Sequence, residues 1–272
     1  MTGSPVRDDS TAKGESMSFE GKTVLVTGGS AGIGREACRR FAERGAAVMI
    51  NYASSEKDAL ETLSIIEKAG GKAAICRADV SREDQADRLV ADTVAAFGRL
   101  DVLINNAGAT KFVPYADLDA LTADVWERIY QVNVMGTFFC SRAAAKEMRK
   151  TGGGVIVNNA SLSGHRTVGS SIPYAVSKAG VLHLTRCLAV TLGPDVRVNS
   201  VTPGYITDTR WNKDRENYDA DAVNAKTAAV TPMKRTGAAA DIAAAMVFLA
   251  SDEATFITGS DLRVDGGRYM TV

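Results

Sequence analysis

The stretch Lys22 to Ile50 constrains the chain most. A β-branched apolar run, Lys22-Thr-Val-Leu-Val-Thr27, meets a glycine-rich turn from Gly28 to Gly34. Ile33, Ala37 and Phe41 then recur at helical spacing up to Gly45, and a second apolar run follows at Ala47–Ile50. Strand, helix and strand within about thirty residues make a βαβ unit, whose strands are parallel and buried on both faces. The alternation continues. Strand-like runs recur at 73–76, 102–104, 155–157, 196–201 and 262–264, and helical patterns are expected at about 56–69, 82–97, 122–149, 171–193 and 238–250. This predicts one α/β domain, a Rossmann-type doubly wound sheet of about seven parallel strands.

Two segments stand outside the alternation. Residues 1–17 are polar and carry no apolar core of a signal peptide, so a disordered extension is expected before a catalytic domain at 18–272. The stretch Ile206 to Thr231 is polar and rich in Asp and Asn, and reads as a lid insertion whose Trp211 and Tyr218 either pack over a ligand or anchor the lid.

Composition excludes several classes of function. Lys+Arg and Asp+Glu are both 32 and are interspersed, which argues against a nucleic-acid partner. Cys38, Cys76, Cys140 and Cys187 are scattered without CxxC spacing, so neither a metal site nor a disulfide framework is expected, and a reducing cytoplasm fits. No apolar run reaches the ~20 residues needed to span a bilayer, so no membrane partner is expected.

The turn Thr27-Gly-Gly-Ser-Ala-Gly-Ile-Gly34 lies between strand and helix, where a phosphate-binding turn must lie. Gly28, Gly32 and Gly34 allow close backbone approach to a pyrophosphate, and the helix start after Ser30, at Gly32 and Ile33, offers free N–H groups. Tyr174 and Lys178 stand four apart on a predicted helix and so share a face. A free phenol titrates near ~10. A neighbouring ammonium favours phenolate, and such a tyrosine can exchange a proton with a carbonyl or alcohol oxygen.

Further segments complete a pattern: Asn105-Asn-Ala-Gly108, Asn133 within Gln131-Val-Asn-Val-Met-Gly136, Ser161 thirteen residues before Tyr174, and Tyr174-Ala-Val-Ser-Lys178. Asp79-Val80, Pro203-Gly204 and Val264-Asp-Gly-Gly267 follow in the same order. From Phe19 to Gly267 the chain resembles the single-domain short-chain dehydrogenase/reductase family.

The resemblance implies an NAD(P)-dependent oxidoreductase that moves a hydride between the cofactor and a carbonyl or secondary alcohol of a small molecule. It implies Tyr174 as general acid/base, Ser161 on the substrate oxygen, Lys178 also on the nicotinamide ribose, and Asn133 holding a relay water. It places Asp79 and Val80 at the adenine, and Asn106, Ala107 and Gly108 along the adenosine ribose. Pro203, Gly204 and Ile206 fall near the nicotinamide, and a homotetramer is implied.

The family's usual threonine five residues after Pro203 is here Asp208, with Thr207 and Thr209 beside it. Two other classes stand against the enzyme: a redox-sensing dinucleotide regulator, and a sugar epimerase or dehydratase. The first usually lacks part of the set Asn133, Ser161, Tyr174 and Lys178, and the second carries an added domain. His165 near Ser161 raises a hydrolase, but Ser161 lies in Asn159-Ala-Ser-Leu-Ser163 and not in a Gly-x-Ser-x-Gly elbow. His165 reads instead as a substrate-loop residue or exposed polar chain, and His183 as packing or interface.

An acid at the end of the second strand selects NAD by binding the ribose 2′-OH. Tyr52 fills that slot, so NADP(H) is favoured and NAD(H) remains possible. The arginines of NADP-preferring relatives are replaced by Ala31 and Ala53, which leaves Asn51, Ser54 and the helix start at Ser55 as neutral donors for a 2′-phosphate. Ser55 also reads as a helix cap with Asp58 three residues on.

Overall fold

The computed structural model describes residues 17–211 and 218–270. Most of the expected extension therefore lies outside the described residues. Its last member does not belong to it, because Met17 packs against the core. Phe19 follows, edge-on to Phe41 with ring centres 4.9 Å apart.

All seven expected strands form: β1 (Thr23–Val26), β2 (Ala47–Tyr52), β3 (Lys72–Arg77), β4 (Val102–Asn105), β5 (Gly154–Asn159), β6 (Val196–Pro203) and β7 (Asp261–Val264). They make one parallel sheet in the order β3-β2-β1-β4-β5-β6-β7. Their near-continuous apolar sequences are explained by helices on both faces. One layer holds α1 (Gly32–Ala42), α2 (Glu56–Lys68) and α8 (Ala239–Ala250), with Phe41, Ile66 and Met246 against the sheet. The other holds α3 (Glu83–Phe97), α5 (Gly136–Lys150) and α6 (Ile172–Leu192), with Leu89, Met148 and Leu188 inward.

The long helix expected at 122–149 is divided. α4 (Ala123–Tyr130) runs through a π-helical turn at Gln131–Met135 into α5. Sequence periodicity does not register one extra residue in a turn.

The stretch 206–231 is not irregular throughout, for it contains α7 (Ala220–Val230), capped by the Asp219 carboxylate on the Ala222 N–H at 3.0 Å. α7 buries no residue, so it carries no apolar stripe by which it could be recognised. Residues 212–217 of this stretch lie outside the described residues.

Strand order reverses between β1 and β4, and the carboxyl ends of these strands open a crevice there. The glycine turn follows β1, Asn106–Gly108 follow β4, and Ser161 follows β5.

Candidate active site and dinucleotide cleft

The glycine turn meets the conditions for a nucleotide cradle. Gly28 and Gly32 have φ of +61° and +53°, the left-handed region that glycine enters without strain. Gly34 is required for space instead: a Cβ there would stand 2.2 Å from the Gly28 carbonyl oxygen and 2.5 Å from Asn106 Nδ2. α1 begins with no side-chain cap and no acid in its first turn, so its N–H groups and positive dipole end suit a pyrophosphate. Thr27 Oγ1 accepts from the Asn106 and Ala107 N–H groups at 2.9 and 3.0 Å. Asn106 Nδ2 donates to the Thr27 and Gly28 carbonyls, both at 3.1 Å. The Asn106 side chain thus braces the turn, and a Cβ on Gly108 would meet Asn133 Oδ1 at 3.5 Å and the Trp211 ring at 3.8 Å.

At the end of β2 two expectations are corrected. Asn51 is 2% exposed. Its Oδ1 accepts from the Gly28 N–H at 3.1 Å, and its Nδ2 donates to the Ala78 carbonyl at 3.0 Å. It fastens the glycine turn to β3 and offers no free donor to a phosphate. Tyr52, 6% exposed, packs into the core cluster with Ile50 and Ala59. Ser55 does not cap the α2 backbone; its hydroxyl donates to Asp58 Oδ2 at 2.6 Å. Ser54 is exposed.

The Asp79 carboxylate accepts from the Ser81 N–H and hydroxyl at 3.0 and 2.7 Å and from Arg128 at 3.3 Å. Val80 is buried, and a Cβ on Gly136 would meet its side chain at 2.9 Å. Ser30 presents its carbonyl to Arg35 and Thr62, and Ile33 packs against the core. Pro203 ends β6, and a Cβ on Gly204 would stand 2.8 Å from Asp265 Cα.

α6 carries Tyr174 and Lys178 inward, 8% and 4% exposed. Burial pushes the Tyr174 phenol up to about 12, and a hydrogen bond with Ser161 opposes the rise. Burial also pulls Lys178 down to about 8. The neighbouring ammonium therefore does not overcome desolvation of the phenolate in the protein alone. Lys178 Nζ donates to the Asn159 carbonyl at 2.6 Å. Ser161 Oγ accepts from the Ser163 N–H at 3.2 Å at the start of a short 3-10 turn.

Asn133 is buried in the π-helical turn, where such turns often carry functional side chains. Its Nδ2 donates to the Ala109 carbonyl at 3.0 Å and to Ser177 Oγ at 2.9 Å. Its Oδ1 accepts from the Ala109 N–H at 2.8 Å. The amide ties the segment after β4 to α6, directly beneath the Tyr174/Lys178 face.

Two residues of the segment read as a lid, Thr209 and Trp211, lie over this cleft. A Cβ on Gly32 would stand 3.3 Å from Thr209 Cγ2, and Trp211 lies with its ring centre 5.4 Å from that of Tyr174. Of the two threonines, Thr209 faces the glycine turn, while Thr207 Oγ1 turns to Thr236 and the Gly237 carbonyl, each at 3.4 Å. Ile206 is buried and bridges to Gly237. Asp208 Oδ1 accepts from the Ala239 N–H at 2.7 Å, capping α8. His165 Nε2 pairs with Asp261 at 2.8 Å, not with Ser161, and His183 is exposed.

A family model described as enoyl-(acyl carrier protein) reductase matches residues 28–268. An L-rhamnose 1-dehydrogenase (NAD(P)(+)) of Sphingomonas sp. is 41% identical, over 93% of this chain and 98% of the relative. A 3β-hydroxysteroid dehydrogenase of Eggerthella lenta is 40% identical, over 93% and 95% of the two chains. Among solved structures, a 7α-hydroxysteroid dehydrogenase complexed with NADH and 7-oxo glycochenodeoxycholic acid superposes with a TM-score of 0.85 at 34% identity, over 92% of this chain and 95% of that one. The chain belongs to the short-chain dehydrogenase/reductase family. It is an NAD(P)-dependent oxidoreductase of carbonyl and alcohol groups.

Proposed function

We propose that the protein reduces a small carbonyl compound, or oxidises the corresponding secondary alcohol, with Tyr174 as general acid/base and NADP(H) as preferred cofactor. The observation that carries this reading is the burial of Tyr174 and Lys178 on one face of α6, with Ser161 at the phenol and the uncapped start of α1 across the cleft.

Gly28, Gly32, Ile33 and Gly34 would hold the pyrophosphate, and Gly108 and Val80 would line the adenosine. Lys178, Pro203, Gly204 and Ile206 would flank the nicotinamide end, and the dinucleotide supplies the hydride donor or acceptor when bound. Ser161 donates to the substrate oxygen and holds it at the phenol. Tyr174, kept protonated by burial, gives its proton to that oxygen as charge develops there. Solvent restores the proton while the nearby Lys178 ammonium steadies the phenolate, and Asn133 keeps α6 at the right distance by its bonds to Ala109 and Ser177.

NADP(H) is preferred because the last position of β2 holds Tyr52 and not an acid, and the carboxylates just beyond are engaged, Glu56 by the Tyr52 hydroxyl and Asp58 by Ser55 and Arg210. The stretch 206–231 acts as a lid: Thr209 and Trp211 rest on Gly32, Gly108 and Tyr174, where the dinucleotide is to lie, and give way to it. The chain assembles as a homotetramer, since Trp126, Tyr130, Val176 and Val190 leave apolar surface on α4 and α6. Cytoplasmic residence fits the scattered, unpaired cysteines. No helix among the described residues is long and apolar enough to cross a membrane. A panel of ketones and secondary alcohols, run with NADPH, NADH and their oxidised forms, tests the reading. Turnover with a higher kcat/KM for NADPH is expected, and a preference for NADH would overturn the cofactor assignment.

A further inference from the structure

The two positions that would carry a phosphate-binding cation in the glycine turn and after β2 hold Ala31 and Ala53. Nearby Arg35 does not replace them, because its guanidinium donates to the Ser30 carbonyl, Thr62 Oγ1 and Glu61. A cation reaches the same edge from the opposite side of the cleft. Arg210 Nη1 bonds Asp58 Oδ2, the carboxylate oxygen that also receives the Ser55 hydroxyl. Asp58 and Ser55 stand at the start of α2, immediately beyond the end of β2. Thr209 on one side of Arg210 rests over Gly32, and Trp211 on the other rests against Tyr174. The segment therefore follows the line from phosphate turn to catalytic tyrosine, and Arg210 is the side chain it sends towards α2.

The Arg210 side chain is 56% exposed, and Asp58 engages Nη1 alone. Arg210 lines a cleft of about 260 Å³ with Ala31, Gly32, Arg35, Glu36 and Asp208, and the Glu36 carboxylate is already held by Arg39 and Arg40. A guanidinium is a planar fork of five donors and can hold a carboxylate along one edge and a phosphate along another. Asp58 fixes the fork in place, so little side-chain freedom is lost when a second anion arrives.

We propose that Arg210 is the residue that recognises the adenosine 2′-phosphate, delivered from the segment over the cleft and aimed by Asp58. This rests on the NADP(H) reading and names the group responsible for it. A ribose without the phosphate leaves Arg210 on Asp58 and gains nothing from it.

Titration calorimetry on the full chain with adenosine 2′,5′-bisphosphate and with 5′-AMP tests the assignment without turnover. The parent is expected to bind the bisphosphate about tenfold or more tightly than 5′-AMP. Arg210→Ala is expected to weaken the bisphosphate about ten- to a hundredfold and 5′-AMP less than about twofold, with Arg210→Lys in between. Equal weakening of both ligands, or of neither, overturns the role of Arg210 while the parent's preference stands. A parent that does not distinguish the two ligands overturns the NADP(H) reading and this assignment together.

Discussion

The ammonium of Lys178 lies 5.8 Å from the centre of the Tyr174 ring, and its hydrogen bond goes to the Asn159 carbonyl rather than to the phenol. Both groups are buried, and burial disfavours the charged form of each. Lys178 is drawn down to about 8, so between pH 8 and the ordinary lysine value the unfolded chain binds the extra proton. Stability must rise with pH across that window. Tyr174 acts in the opposite sense only above its ordinary value of 10, where the unfolded chain ionises first. Urea denaturation at pH 7.5 and 9.5 should therefore show a gain of about 2 kcal/mol from Lys178. Lys178→Met should abolish that gain, and an equal slope in both proteins would remove the buried-lysine account.

Gly34 and Gly180 offer a contrast in the same chemistry. Gly34→Ala places a methyl 2.2 Å from the Gly28 carbonyl oxygen, which belongs to the backbone and cannot move aside cheaply. Loss of dinucleotide binding and a destabilisation of about 2 kcal/mol or more are expected. Gly180→Ala meets nothing nearer than Val134 Cγ2 at 3.4 Å and lies within α6. It should leave stability unchanged or raise it by up to about 1 kcal/mol. Thermal melts and dinucleotide titrations of both variants decide the matter.

Asp208 occupies the family's threonine slot because it caps α8 through the Ala239 N–H. Asp208→Ala should cost about 1 kcal/mol. Asp208→Thr, which keeps a capping oxygen, should recover most of that, as read by urea midpoints. Similar losses in both variants would show that the cap contributes little.

The proposed tetramer is tested by light scattering at micromolar concentration. The parent should scatter as four chains, and Trp126→Glu combined with Tyr130→Glu on α4 should give smaller species. A monomeric parent would contradict the assembly.

The central strands were legible in the sequence because they are buried on both faces and read as apolar runs, whereas the edge strands β3 and β7 are only partly buried and carry Lys72, Arg77, Asp261 and Arg263. Helices with one buried stripe were equally plain, whereas α7, with nothing buried, left no periodic trace. Spacing was enough to bring Ser161, Tyr174 and Lys178 together. Asn51, Asn106 and Asn133 read as ligand contacts, yet their amides are spent on carbonyls and N–H groups elsewhere in the chain. Such partners are set by tertiary approach, and a side-chain amide looks the same in sequence whether it faces a cofactor or a neighbouring strand. Arg210 went unnoticed for the same reason: its meeting with Asp58 joins residues separated by 152 positions.

In the proposed reaction Tyr174 handles the proton and does little else. Phenylalanine removes one hydroxyl and leaves the ring against Trp211. The decisive measurement is kcat for carbonyl reduction by Tyr174→Phe, taken beside the dinucleotide dissociation constant of the same preparation. A fall in kcat of about a thousandfold, with the dissociation constant within about threefold of the parent, is predicted. Turnover close to that of the parent, with the dinucleotide bound as before, would contradict it.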